Sequence, residues 1–293
     1  PVSAAPPLAV LAAAAVGVQV GAAIVASRFV LDQTGPASLA LLRYAIGFLC
    51  LLPAVVATGV PRIDRRDLLP IALLGTVQFG VVIALLNVAL LTVPSARVAL
   101  LFATFPLMTM LLAAALGREA LSVRRTAGVA LTVAGVALSV GEKALAAGAG
   151  PGEWLGTSAV LAAAFSGALC SVLYRPYLRK YEALPVSAFA MLASVGGLAV
   201  LAAGEGFFTT APRFTGTGWA VVAFIGASSG AGYFLWLWAL RHASPTRVTV
   251  FLGLSPITAA VLGAALLGEA VTWDLAAAIA VLAAGLWLAL RGR

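Results

Sequence analysis

Two amides stand alone in long apolar runs, Gln19 in "AVGVQVGAA" and Gln78 in "LGTVQFGVV". An amide neither gains nor loses a proton at ordinary pH, but it donates and accepts hydrogen bonds, so its chemistry is the solvation of a polar solute. Facing lipid it would be costly, so each amide should face a neighbouring helix or a wet cavity, and both options are open for Gln19 and Gln78. In "ASSGAGYFLWLW" the residues Ser229, Tyr233 and Trp236 fall at i, i+4 and i+7 and share one helical face. Such a face either encloses an apolar side chain together with Phe79, or simply packs or anchors at an interface. Ser166, Cys170, Ser171 and Tyr174 form a weaker stripe, with Ser166 and Tyr174 as further cavity candidates. Phe102 and Phe105 are candidates for the cavity wall, against plain packing.

Charged residues are placed differently. Arg97, Glu119, Arg247 and Glu269 lie at the ends of apolar runs. Arginine at a helix start and glutamate at a helix end oppose the dipole, so these four need partners elsewhere, such as neighbouring helix ends, and read as structural or gate-edge residues. Arg43 lies about two turns into its run, where it is expected to snorkel outward or to pair with carbonyls. No Asp, Glu or Lys falls near the centre of any run, so proton antiport through a buried carboxylate is not expected. His242 is the only histidine, and Cys50 and Cys170 both sit in apolar text. No metal site, cofactor, disulfide or catalytic dyad is indicated, and an enzyme is not expected.

The elements that must position these residues follow from composition. The chain is 62% hydrophobic and 10% charged, against roughly 45–50% and about 25% in ordinary globular proteins. Apolar runs of roughly 20 residues recur end to end, each able to cross a hydrocarbon layer of about 30 Å. They do not alternate with a period of two, which excludes barrel strands and leaves helices. With charges, Pro and Gly as punctuation, ten spans fall near 8–31, 37–57, 68–91, 95–116, 121–141, 154–176, 185–203, 217–240, 246–267 and 271–290. The first is too long for a signal-peptide core and lacks a preceding basic stretch, so it reads as a retained helix. The chain opens at Pro1 without methionine, so further N-terminal residues are expected.

"RVALLFATFPLMTMLLAAALGREAL" (97–121) and "RVTVFLGLSPITAAVLGAALLGEAV" (247–271) match at a constant offset of 150: Arg97 with Arg247, Pro106 with Pro256, Glu119 with Glu269, and further on Gly135 with Gly285. The chain reads as a duplication, with a first repeat over 1–141, a linker over 142–153 and a second repeat over 154–293. Five helices per repeat is an odd number, so the second copy enters the membrane from the opposite side. Pro106 and Pro256 each remove a backbone donor in mid-span, and the paired kink suits two gating helices, against a static kink needed for packing.

Charge fits the inversion, because cytoplasmic connections carry excess Lys and Arg. With both termini cytoplasmic, Arg62, Arg65, Arg66, Arg118, Arg124, Arg125, Arg175, Arg179, Lys180, Arg241, Arg247, Arg291 and Arg293 lie inside. Arg28, Arg97, Lys143 and Arg213 lie outside. The net charge of +8 is then answered by anionic headgroups of the bilayer, and no nucleic acid is needed as a partner.

Ten spans in inverted halves, "LLRYAIGF" in the second span, and the pattern Ala89–Leu90, Pro106, Glu119, Gly128, Gly135 repeated as Ala239–Leu240, Pro256, Glu269, Gly285 resemble the drug/metabolite transporter superfamily. The nearest likeness is to its EamA-type permeases, in particular the YddG-type aromatic amino acid exporters. Ala278 stands where the first half has Gly128, a departure that should alter only helix packing. The resemblance implies an all-α polytopic membrane protein, a basket of helices around one central cavity that opens alternately to either side of a bacterial inner membrane. It does not choose the cargo, since members move amino acids, sugars, nucleotide derivatives or drugs. Amides, hydroxyls and aromatic rings without a fixed charge suit a zwitterion, so export of a small molecule, an aromatic or other neutral amino acid, is the expectation. Export of drugs, nucleosides or other metabolites is the alternative. A scaffold protein would instead show no flux and no effect of replacing Gln78 or Trp236.

Overall fold

The computed structural model describes residues 7–58, 63–118, scattered positions between 123 and 135, 151–210 and 212–291. The described residues are helical throughout, with turns between. Span one is Pro7–Val30, span two Pro36–Thr58, span three Arg65–Leu90 and span four Ser95–Ala115. Span six is Pro151–Leu173, followed by a short helix Arg175–Lys180. Span seven is Ala183–Gly204, span eight Gly216–His242, span nine Pro245–Leu267 and span ten Trp273–Arg291. Most of span five, the 142–150 stretch and Glu119 lie outside the described residues.

Eight of these helices are long and apolar enough to cross a membrane, and Trp273–Gly285 adds a shorter apolar stretch. The protein is a multi-pass α-helical membrane protein. Helices are what this text must form, because in hydrocarbon a helix satisfies its own backbone donors and acceptors. Spans four and nine both end on a glycine in the left-handed region, Gly117 at φ 64° and Gly268 at φ 66°, a conformation that residues with a Cβ avoid.

The packing repeats under exchange of the halves. Span one packs on span eight as span six packs on span three, span one packs on span nine as span six packs on span four, and spans two and seven pack on each other. Polar links fall at two opposite ends of the bundle. At one, Lys180 Nζ reaches Asp67 at 2.7 Å and also pairs with Asp64, while Arg241 pairs with Glu182. At the other, Glu205 accepts from the Ala37 and Ser38 amides at 2.9 and 2.8 Å, and Arg97 pairs with Glu153.

Candidate functional site

Spans four and nine are broken where the prolines require it. A proline has no N–H to give the carbonyl four residues earlier, and its ring crowds that carbonyl. Span four accordingly turns at Ala103–Thr104, with Pro106 in the first turn of the helix that restarts at Phe105. Span nine tightens to a 3-10 turn over Val250–Gly253. The Leu252 carbonyl, which cannot take an N–H from Pro256, accepts instead from a backbone N–H of the 3-10 turn and from the Ser255 hydroxyl at 2.7 Å. Span one lies directly on the second break: a Cβ at Gly17 would sit 2.1 Å from the Phe251 carbonyl oxygen. Span six lies on the first, where a Cβ at Gly167 would sit 2.4 Å from the Phe105 ring.

Span three is interrupted by a π turn over Thr76–Val81 that carries Gln78 and Phe79. The extra residue in such a turn re-aims the side chains that follow, and π turns gather at functional sites.

Between these elements, in the middle of the bundle, lies a cavity with about 80 Å³ of room for the centres of water-sized molecules. Gln19 comes to it from span one, Arg43 and Tyr44 from span two, Gln78, Phe79, Val82, Ile83 and Leu86 from span three. Phe102 and Phe105 come from span four, Ser229, Gly232, Tyr233 and Trp236 from span eight, and Leu252 from span nine. Its walls are mostly apolar, part aliphatic and part aromatic. Phe79 and Tyr233 stack with centroids 3.6 Å apart, Tyr44 meets Phe79 edge-on at 5.4 Å, and Phe105 meets Phe102 and Trp236 edge-on at 5.3 and 5.9 Å.

The structure therefore brings Gln19, Gln78, Phe79, Phe102, Phe105, Ser229, Tyr233 and Trp236 to one cavity. Gln19 does two things there, since its Nε2 also donates to Ser228 Oγ at 3.3 Å. The glycine at 232 makes room for it: a Cβ there would sit 2.8 Å from Gln19 Oε1. The buried Gln78 Oε1 and Trp236 Nε1 have no hydrogen-bond partner among the described residues.

Two expected residues are not at the cavity. Span six turns Gly167 toward Phe105, so the phenyl ring stands between that helix and the cavity, and Ser166 points elsewhere. Tyr174 is fully buried behind Tyr233, its hydroxyl 3.2 Å from the Tyr233 hydroxyl.

The largest correction concerns Arg43, which does not snorkel. It is 7% exposed, lines the cavity, and donates from Nε to Ser229 Oγ at 2.7 Å. Its Cζ lies 5.6 Å from the centroid of the Tyr44 ring. The cause is a close helix crossing one turn away. Gly47 lies on the Arg43 face of span two, and span eight meets it with Gly226 and Gly230; a Cβ at Gly230 would sit 2.7 Å from the Gly47 carbonyl oxygen. That face is pressed onto span eight, which leaves Arg43 no route to the surface. The cavity thus holds a fixed positive charge, contrary to expectation, and no Asp, Glu, Lys or His is among its described lining residues.

The helix-end residues find partners on other helices. Glu269, after span nine, accepts from the Ser95 amide at 3.0 Å and the Ser95 hydroxyl at 2.6 Å, which caps the start of span four. Arg97 pairs with Glu153, and Arg247 is half-buried near the start of span nine. At the opposite end, the Lys180 ammonium holds the Asp64 carboxyl below the usual carboxylate range, and the Arg241 guanidinium does the same for Glu182.

A family of transporters matches this chain twice, the EamA-like transporter family, over residues 7–141 and 154–291. The chain belongs to the EamA-like transporter family. A curated relative, the "Probable terminal-alkyne amino-acid exporter" of Streptantibioticus cattleyicolor, is 33% identical over 248 residues, covering 83% of this chain and 80% of that protein. A solved crystal structure of a protein shares the fold with a TM-score of 0.73 at 21% identity, covering 96% of this chain and 98% of that one. This EamA-like protein is therefore a membrane transporter, with the cavity at its centre as the candidate cargo site.

Proposed function

We propose that this EamA-like protein exports amino acids with apolar side chains across the bacterial inner membrane by alternating access, with both termini cytoplasmic. The observation that carries the reading is the composition of the central cavity. Aromatic rings from spans two, three, four and eight suit an apolar side chain, while Gln78 Oε1 and Trp236 Nε1 are an acceptor and a donor beside them without partners among the described residues. A buried polar atom left unpaired costs about 1–3 kcal/mol, which a polar cargo would recover. The relative's name points to the same class of solute.

The paired breaks in spans four and nine supply the moving parts. They lie at Pro106 and Pro256, at matching positions in the two halves, and each is crossed by a glycine-bearing helix of the other half. Inverted repeats commonly exchange inward and outward states by rocking around such a midplane site. No titratable carboxylate lines the described part of the cavity, so exchange is facilitative and insensitive to pH between about 5 and 8.

The reading is tested by feeding phenylalanine-containing dipeptides to cells that overproduce the protein. Faster appearance of phenylalanine in the medium than in cells carrying an empty vector supports it; equal rates contradict it.

A further inference from the structure

We infer that Arg43 is the residue that recognises the cargo's carboxylate, so that the transported class is defined by a carboxylate at one end and an apolar group at the other. This rests on the reading of the central cavity as an amino acid site, and it names the group that site selects.

The argument starts from cost. A guanidinium that is 7% exposed inside a membrane bundle has lost most of its water, and a buried charge is tolerated when paired or fully hydrogen-bonded. Arg43 has neither. Its Nε is held by Ser229 Oγ at 2.7 Å, and the Tyr44 ring lies beside its Cζ. No hydrogen bond or ion pair reaches its two terminal nitrogens from the described residues. The fork of an arginine presents parallel N–H donors that match the two oxygens of a carboxylate, a pairing that is short, strong and directional.

The geometry around Arg43 also fixes the fork. Ser229 Oγ accepts from Arg43 Nε while its own proton goes to the Ile225 carbonyl. The serine is thus an acceptor whose direction is set by its own helix, and it holds Nε while leaving the terminal nitrogens for cargo. The Gly47–Gly230 crossing keeps the two helices close enough for that bond. A cargo ammonium is repelled by the same charge, and Gln78 Oε1, an acceptor without a donor among the described residues, is the lining group open to it. Phe102, Phe105 and Trp236 then take the apolar group.

The inference predicts a ranking that ring packing alone does not. In counterflow with labelled phenylalanine, unlabelled phenylalanine and 3-phenylpropionate compete, while phenylalaninamide and phenethylamine, which keep the ring and lack the carboxylate, compete at least about 10-fold more weakly. Arg43→Gln removes the difference between acid and amide, and Arg43→Lys, which keeps the charge without the fork, restores part of it. Because an Arg43 variant can fail to fold, the wild-type ranking stands as a test by itself. Ligand-induced rise in melting temperature with phenylpropionate against phenylpropionamide repeats the test without flux. Equal competition by acid and amide in the wild type, or an unchanged ranking in folded Arg43→Gln, overturns the role of Arg43 and leaves amino acid export standing. Arg43-dependent stabilisation by carboxylates in a protein that exchanges no amino acid supports the role of Arg43 and overturns the amino acid reading alone.

Discussion

Replacing Gly230 by alanine tests the packing that turns Arg43 inward. The new Cβ would lie 2.7 Å from the Gly47 carbonyl oxygen and 3.0 Å from its Cα, both backbone atoms that cannot swing away. Ordinary contact begins near 3.4 Å, so spans two and eight must open by about 0.7 Å, an overpacking that costs about 1–3 kcal/mol. The same opening carries the Arg43–Ser229 bond from 2.7 Å toward about 3.4 Å, outside the hydrogen-bonding range. Thermal unfolding in detergent, followed by the loss of the monodisperse peak, should show a drop of several degrees, and half-saturation for exchange should rise. Gly196→Ala is the control: it is exposed on span seven with nothing within 4 Å of its added Cβ. It should gain about 0.5–1 kcal/mol from the better helix former. A Gly230→Ala protein as stable as wild type, with unchanged exchange, would refute the reasoning.

Further outcomes follow from the same contacts. Pro256→Ala offers the Leu252 carbonyl an α-helical N–H in place of the 3-10 turn that now serves it; melting temperature should rise and exchange should slow, and an unchanged exchange rate would deny span nine a gating role. Glu269→Ala leaves the fully buried Ser95 without its cap and should cost about 1–2 kcal/mol in thermal unfolding; no loss would show the cap to be idle. The carboxyls of Asp64 and Glu182 are held low in the folded protein by Lys180 and Arg241. Their contribution is full above the ordinary carboxylate value of about 4 and fades as pH falls through the lowered folded-state values. Melting temperature measured downward from about pH 6 should therefore fall in acid for wild type and less steeply for an Asp64→Asn, Glu182→Gln protein. Equal slopes would contradict the pairing.

The described spans were legible because membrane helices are written in composition: an apolar run of the right length has one way to satisfy its backbone. The cavity face of span eight was legible for a related reason, since Ser229, Tyr233 and Trp236 share a helical face whatever they touch. Arg43 was not, because its direction depends on the meeting of Gly47 with Gly226 and Gly230, a contact between residues nearly two hundred positions apart. "LLRYAIGF" showed a charge in a span, and the glycine one turn later was the missed signal of a close crossing. Tyr174 and Ser166 failed for the opposite reason. Their stripe is real, but the adjoining face at Gly167 is covered by Phe105, and nothing in the local text of span six says which neighbour will stand in front of it. The π turn that aims Gln78 and Phe79 left no mark in propensity. The need of Glu269 for a neighbouring helix end could be argued from its dipole, whereas its partner Ser95 could not.

The central claim is that this cavity carries amino acids by facilitated exchange. Its most direct test is counterflow in proteoliposomes preloaded with phenylalanine, with external labelled phenylalanine and with a pH gradient first imposed and then collapsed. Saturable uptake that is the same in both states and is lost in liposomes without protein is the predicted result. Uptake that requires the gradient, or flux of a dicationic drug with none of phenylalanine, would contradict it.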